Sequence, residues 1–194
     1  MLKGVWDRAL KISTTLVFFI MGITWALYRD HPTNFFYGLR AFFTVGFYQL
    51  AVRVLISIYY RQVHKWPWNP HNPWFRERAW EKPFYNALRV KRWKDFLPTN
   101  RPGDFDIRQT DIAGILNNSC RAEAVHATNN AAGYLPLLLT GLMTRPRQYL
   151  GIALFIAVGF GIADSILALI QRYNRPRLLR LLDLLEKSGR MKAK

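Results

Sequence analysis

The chain has 194 residues, with 28 Lys and Arg against 12 Asp and Glu, and a single cysteine. That length suits one domain and excludes two independent catalytic domains, while a lone Cys120 excludes an internal disulfide and a thiolate metal cage. The formal charge of +16 admits nucleic acid, an anionic membrane surface or a phosphate-bearing substrate, and the segregation of charge from apolar runs decides for the membrane.

In chain order, residues 12–28 carry no charged side chain and approach the roughly 20 apolar residues that cross about 30 Å of hydrocarbon. No small-x-small cleavage site follows, so this reads as a retained span and not a signal peptide. A second span is expected over 41–60. It contains Arg53, which at a bilayer centre costs about 2.5 to 3.5 kcal/mol but lies close enough to Tyr59 and Tyr60 to snorkel.

Residues 61–126 form the expected cytoplasmic-side interfacial segment. Five of the seven tryptophans fall between residues 66 and 93, interleaved with Lys and Arg, a composition suited to the headgroup layer and to anionic lipid. Nucleic-acid surfaces carry the same mixture, but the neighbouring spans place this one at a bilayer, so no nucleic-acid partner is expected. An interfacial stretch with no catalytic part stays open beside a donor-binding one. Pro67, Pro70 and Pro73 break up its start, so helix is expected from Trp74 or Phe75 to about Trp93, then a loop over 98–106. A further helix should begin after Thr110 with Asp111 in its first turn.

Spans over 127–143 and 148–170 flank a short basic turn at 144–147 and read as a helical hairpin. The first arm is weakly apolar, with Asn129, Asn130 and Pro136; Gly151, Gly159 and Gly161 in the second suit close helix approach. The tail, 171–194, reads as a break at Arg175 before Pro176, then a short basic amphipathic helix stopping near Gly189. Of the 28 Lys and Arg, 23 fall before the first span, in 61–130 and in the tail. The positive-inside rule puts those segments in the cytoplasm. The fold expected is an all-α integral membrane protein of about four transmembrane helices, a single membrane domain over 1–194. It is multi-pass in the plasma membrane, with both termini cytoplasmic.

Chemistry concentrates in three places. On the helix after Thr110, Ser119, Glu123, His126 and Asn130 are spaced by 4, 3 and 4 residues and share a face. Neutral His126 suits a general base taking a hydroxyl proton, with Glu123 orienting the ring; a structural hydrogen bond between helices is the open alternative. A di-iron site would need a second Glu-x-x-His pair, which the sequence lacks, so no metal is expected. Asp164, alone in the last span, is a functional group or a protonated helix-to-helix hydrogen bond. Finally, 171–177 reads Gln-Arg-Tyr-Asn-Arg-Pro-Arg, whose arginines suit phosphate oxygens or positive-inside anchoring.

That last run, with the Leu-rich basic tail after it, resembles the C-terminus of the glycosyl-4,4'-diaponeurosporenoate acyltransferase family of staphyloxanthin-type carotenoid biosynthesis. Arg121-Ala122-Glu123 with His126 matches the family's R-A-E-x-x-H run, and Val90 to Lys94 resembles its V-R-K-W-K segment. These blocks keep the family's order from about Trp80 to Gly189. Ala127 departs from the pattern, standing where the family has an aromatic residue. The resemblance implies a membrane acyltransferase that esterifies the 6-hydroxyl of a lipid-linked glucose with a fatty acyl chain. It also implies no cofactor beyond a thioester donor, acyl-CoA or acyl carrier protein. The expected partners are membrane lipid, a glycosylated lipid acceptor and that donor; oligomeric state is not legible. His126 and Glu123 are the expected catalytic pair, and Arg121, Asn130, Trp93, Lys94, Arg172, Tyr173, Asn174, Arg175 and Arg177 the expected substrate and donor residues. None of the four His has Asp five positions on, so the common H-x-x-x-x-D acyltransferase motif is not used. The competing classes are a non-catalytic lipid-binding or scaffold protein and a small membrane methyltransferase or reductase.

Overall fold

In a computed structural model, residues 5–63, 68–97 and 102–188 are described, and among them the chain is helical with no strand. His64, Trp66, Pro67, Gly189 and the 98–101 part of the expected loop lie outside the described residues. Helix α1 spans Val5–Asp30 and α2 spans Asn34–Ile58, joined by a turn in which Thr33 Oγ1 accepts the Phe36 N–H and caps α2. Short helices follow: α3 (Glu81–Ala87) and α4 (Val90–Trp93), then the longer α5 (Ile112–Gly133), the short α6 (Leu135–Leu138) and α7 (Pro146–Lys187). Among the described residues, three helical segments are long and apolar enough to cross a membrane, Arg8–Asp30, Asn34–Gln62 and Pro146–Lys187. They contain the expected spans at 12–28, 41–60 and 148–170.

The chain divides into two compact units. Of the described residues, one unit holds 68–97, 102–124 and 166–188; the other holds 5–63 and 125–165.

The second of these is built on a four-residue stripe along α2. Tyr37, Ala41, Val45, Gln49 and Arg53 are its buried residues, one face of a helix with 3.6 residues per turn. The apolar half packs on Tyr149, Ala153 and Ile156 of α7, where Ala41 and Ala153 permit close approach. Toward Gln49 and Arg53 the stripe turns polar. Gly161 fits there because a Cβ would sit 2.7 Å from the Tyr134 hydroxyl; Gly151 and Gly159, expected to serve the same purpose, face open space.

The expected span over 127–143 takes a different form. Helix α5 ends at Gly133, and α6 and a 3-10 turn at Thr140–Leu142 carry the chain to Met143. Pro136 is the cause, because it has no N–H for the Ala132 carbonyl. The Tyr48 hydroxyl donates to that carbonyl instead, at 2.8 Å, and Gln49 Nε2 donates to the Gly133 carbonyl at 2.7 Å, the substitution a broken helix needs in an apolar setting.

In the other unit, the single helix expected over 74–93 is divided. A 3-10 turn covers Pro73–Phe75, and Arg89, at φ 51°, breaks α3 from α4. The helix after Thr110 begins where expected, but Asp111 caps it from outside, its Oδ1 accepting the Gly114 N–H at 2.8 Å. The break expected before Pro176 does not occur, because α7 continues through it to Lys187. A helix-interior proline costs about 3 kcal/mol, and the buried ion pairs of Arg172 and Arg175 just before it oppose that cost.

Candidate functional site

Where the α2 stripe turns polar, α5 and α7 supply the remaining parts. Arg53 Nη2 donates to Asp164 Oδ2 at 2.5 Å, and Arg53 Nη1 donates to both the backbone and side-chain oxygens of Gln49 at 2.7 Å. The two charges each stand alone in an apolar span, and pairing offsets the desolvation of both. The other oxygen of Asp164 lies 2.9 Å from His126 Nδ1. A carboxylate only accepts, so Nδ1 is the donor to an ionised Asp164, and in the neutral ring Nε2 is then the acceptor. Burial is graded: the His126 side chain is 22% exposed and that of Asp164 6%. Asn129 donates to Asp164 at 3.5 Å, and its Oδ1 is buried with no hydrogen-bond partner, as are Glu123 Oε2 and Arg175 Nε in the other unit. Asn130 Nδ2 donates to Ser165 Oγ and to the Gly161 carbonyl, a link between α5 and α7.

The other unit buries a second charged cluster. All five N–H donors of Arg172 are engaged. Its Nε and Nη2 donate to Glu81 Oε1 at 2.9 and 2.5 Å, its Nη1 to Glu123 Oε1 at 2.6 Å, and Nη1 and Nη2 to the carbonyls of Trp74 and Arg76. Arg175 is 1% exposed, donates to the Phe75 and Ser119 carbonyls, and pairs with Glu123 Oε2 at 2.7 Å. Tyr85 closes the set by donating to Glu81 Oε2. Burial, then that bond, pushes its hydroxyl above the usual tyrosine range. Burial likewise raises the neighbouring Cys120 thiol to about 11.

The sequence pairs Glu123 with His126; the structure gives each its own partner, arginines for Glu123 and Asp164 for His126. Arg172 and Arg175, expected at donor phosphates, hold protein carboxylates and carbonyls. Arg177 is exposed and donates to the Tyr173 hydroxyl at 2.9 Å; Asn174 is half-buried beside them in sequence. Arg121 donates to Asn118 and pairs with Asp104, Trp93 donates to the Leu88 carbonyl, and Lys94 pairs with Asp95. Sequence reasoning passed over Glu81 altogether, and it took Asp164 and Arg53 singly. Two lone opposite charges in separate spans were the signal that they pair. Among the described residues, no three of His, Cys, Asp and Glu gather as metal ligands.

The family model described as CrtO, glycosyl-4,4'-diaponeurosporenoate acyltransferase, matches residues 71–184, more than half of the chain. The chain belongs to this family. It is an acyltransferase of the glycosyl-diaponeurosporenoate type, which the family ties to carotenoid biosynthesis. Both clusters have members in the matched region, including Glu81, Glu123, Arg172 and Arg175 in one and His126 and Asp164 in the other; Arg53 precedes it. No curated protein and no solved structure matches the chain.

Proposed function

We propose that this acyltransferase moves a fatty acyl chain from a thioester, acyl-CoA or acyl carrier protein, to the 6-hydroxyl of a glycosylated carotenoid or related glycolipid. His126 is the general base. The observation that carries this reading is the His126 ring, with Nδ1 tied to Asp164 and Nε2 left as acceptor. The substrate hydroxyl gives its proton to Nε2 as its oxygen bonds the thioester carbonyl carbon. Asp164 stabilises the imidazolium formed, and as the carbon–sulfur bond breaks the ring returns the proton to the departing thiolate. No cofactor enters this step. Arg177, stacked on Tyr173 at the exposed end of the basic run, is the arginine assigned to donor phosphate, and Lys94, Trp93, Arg121 and Asn174 are further candidates for donor or acceptor binding. Glu123 acts by holding Arg172 and Arg175.

A multi-pass plasma-membrane protein with four crossings and cytoplasmic ends suits this chemistry. Support comes from the order of contacts along the broken α5–α6 segment, which runs against α2: Thr128 meets Tyr60, Ala132 meets Tyr48, Gly133 meets Gln49 and Arg145 meets Asn34. Arg53 stands 19 residues beyond Asn34, roughly 28 Å along the helix. The polar cluster then lies near the cytoplasmic edge of the hydrocarbon, within reach of a polar donor.

The test is transfer by purified, vesicle-reconstituted protein from labelled acyl-CoA to a glycosylated carotenoid acid. His126→Ala should lower the rate by about 10²- to 10⁴-fold, the usual contribution of a positioned base. Transfer at the wild-type rate would remove His126 from the chemistry, and no transfer by the wild type would remove the substrate assignment.

A further inference from the structure

The second unit contains an apolar cavity of about 750 Å³, lined by Val17 of α1, by Phe42, Phe43, Gly46 and Leu50 of α2 and by eight residues from Gly151 to Ile162 of α7. Three glycines, Gly46, Gly151 and Gly159, form part of its wall, and a Cβ at any of them would meet no heavy atom within 4 Å. Their missing side chains therefore face the groove and are not what lets the helices touch. Glycine inside a helix is disfavoured against every residue but proline, so three such positions on one empty surface hold space open at a conformational cost.

The groove has a direction. At one end, Leu50 and Ile162 lie three and two residues before Arg53 and Asp164. Phe160 lines the groove and also carries the Arg53 guanidinium 4.4 Å above its ring. At the other end stand Phe42 and Gly151. From Gly151 to Ile162 is 11 residues, roughly 16 Å of helix. Extended chains advance about 1.2 Å per backbone bond, so the groove takes a straight apolar chain of about 13 bonds, with its polar end toward Arg53, which shares Asp164 with His126.

We propose that this groove holds the fatty acyl chain of the donor and sets the chain length accepted, with Gly151 as the floor. The proposal rests on the acyl-transfer reading above, because only a chain whose head reacts needs its tail led to His126. Membrane lipid is as apolar as the groove, so the groove gains little by burial. It acts by shape, and its signature is a length preference more than an affinity.

The test uses full-length protein in vesicles with saturated acyl-CoA donors from octanoyl to stearoyl. Gly151→Leu should shift the optimum to chains shorter by about four bonds, the length of one helical turn, and Gly159→Leu should slow every length. Gly22→Leu is the control, since Gly22 faces open space on α1 away from the groove and should leave the profile unchanged. An unshifted profile in Gly151→Leu, with transfer intact, overturns the groove. A second readout needs no turnover: a photoactivatable diazirine fatty acid should label Ile156 and Phe160, groove residues that are buried or partly buried, and Gly46→Leu should weaken that labelling at least severalfold. Equal labelling of Phe19 and Ile23 on the exposed face of α1 would mean bulk bilayer contact only and overturn the proposal. Labelling of the groove by a protein that transfers nothing would sustain the site and defeat the acyl-transfer reading.

Discussion

Both units bury charged residues, and they do so to opposite ends. In the unit of Glu81, Glu123, Arg172 and Arg175, two carboxylates face two guanidiniums, and Arg172 has no N–H left over. In the unit of Arg53, Asp164 and His126, the charge pair is capped by a ring with one nitrogen still open and by an Asn129 oxygen without a partner. The first is closed by buried ion pairs and serves to fix the chain, although Arg175 Nε is left without a hydrogen-bond partner; the second, partly exposed at His126, can take a proton. The same residue types thus divide into clamp and reacting group by whether the charges are closed on one another or leave a partly exposed ring with a nitrogen to spare.

The largest effect that separates the two is expected at His126. His126→Gln should lower acyl transfer by about 10²- to 10⁴-fold and leave the unfolding midpoint nearly unchanged; an equal fall in both would erase the distinction. Glu123→Gln should do the reverse. Removing one partner of a buried ion pair costs about 3 to 5 kcal/mol, and here two arginines lose their carboxylate, so denaturant unfolding should shift markedly while the rate per folded molecule holds. Cys120, fully buried beside the clamp with its thiol raised to about 11, should resist maleimide at pH 8 until the protein unfolds. Above the ordinary thiol range the unfolded chain releases this proton before the folded one does. Stability should therefore fall as pH rises toward 11, and a thiol reacting at once in the folded protein would show that this unit is not closed. The smallest effect belongs to exposed Arg177: Arg177→Ala should change stability by less than about 0.5 kcal/mol and raise KM for acyl-CoA without changing kcat.

Much of this architecture is legible in the sequence, and two prolines show where legibility stops. The apolar runs placed three helices, and the four-three-four spacing placed His126 and Asn130 on one helix face in need of a partner, which the structure supplies from α7. Pro136 and Pro176 obey the same local rule, yet α5 stops short of the first and α7 runs through the second. Distant partners decide: Tyr48 replaces the lost donor at Ala132, 84 residues away in sequence, and Arg172 is held to Glu81 across 91. Spacing along one helix also suggested Glu123 as the partner of His126, whereas Asp164 comes from 38 residues further on. Local pattern shows which face a side chain shares, and long-range pairing shows what it bonds.

The most direct measurement of the central claim compares Asp164→Asn with Glu123→Gln, as acyl transfer per folded molecule across pH. If Asp164 is the group that orients His126, Asp164→Asn is slowed at least tenfold with a displaced pH profile, and Glu123→Gln keeps the wild-type rate and profile once its lower folded fraction is corrected. The opposite outcome, a wild-type profile in Asp164→Asn and lost transfer in folded Glu123→Gln, would contradict the account and return the catalytic role to Glu123.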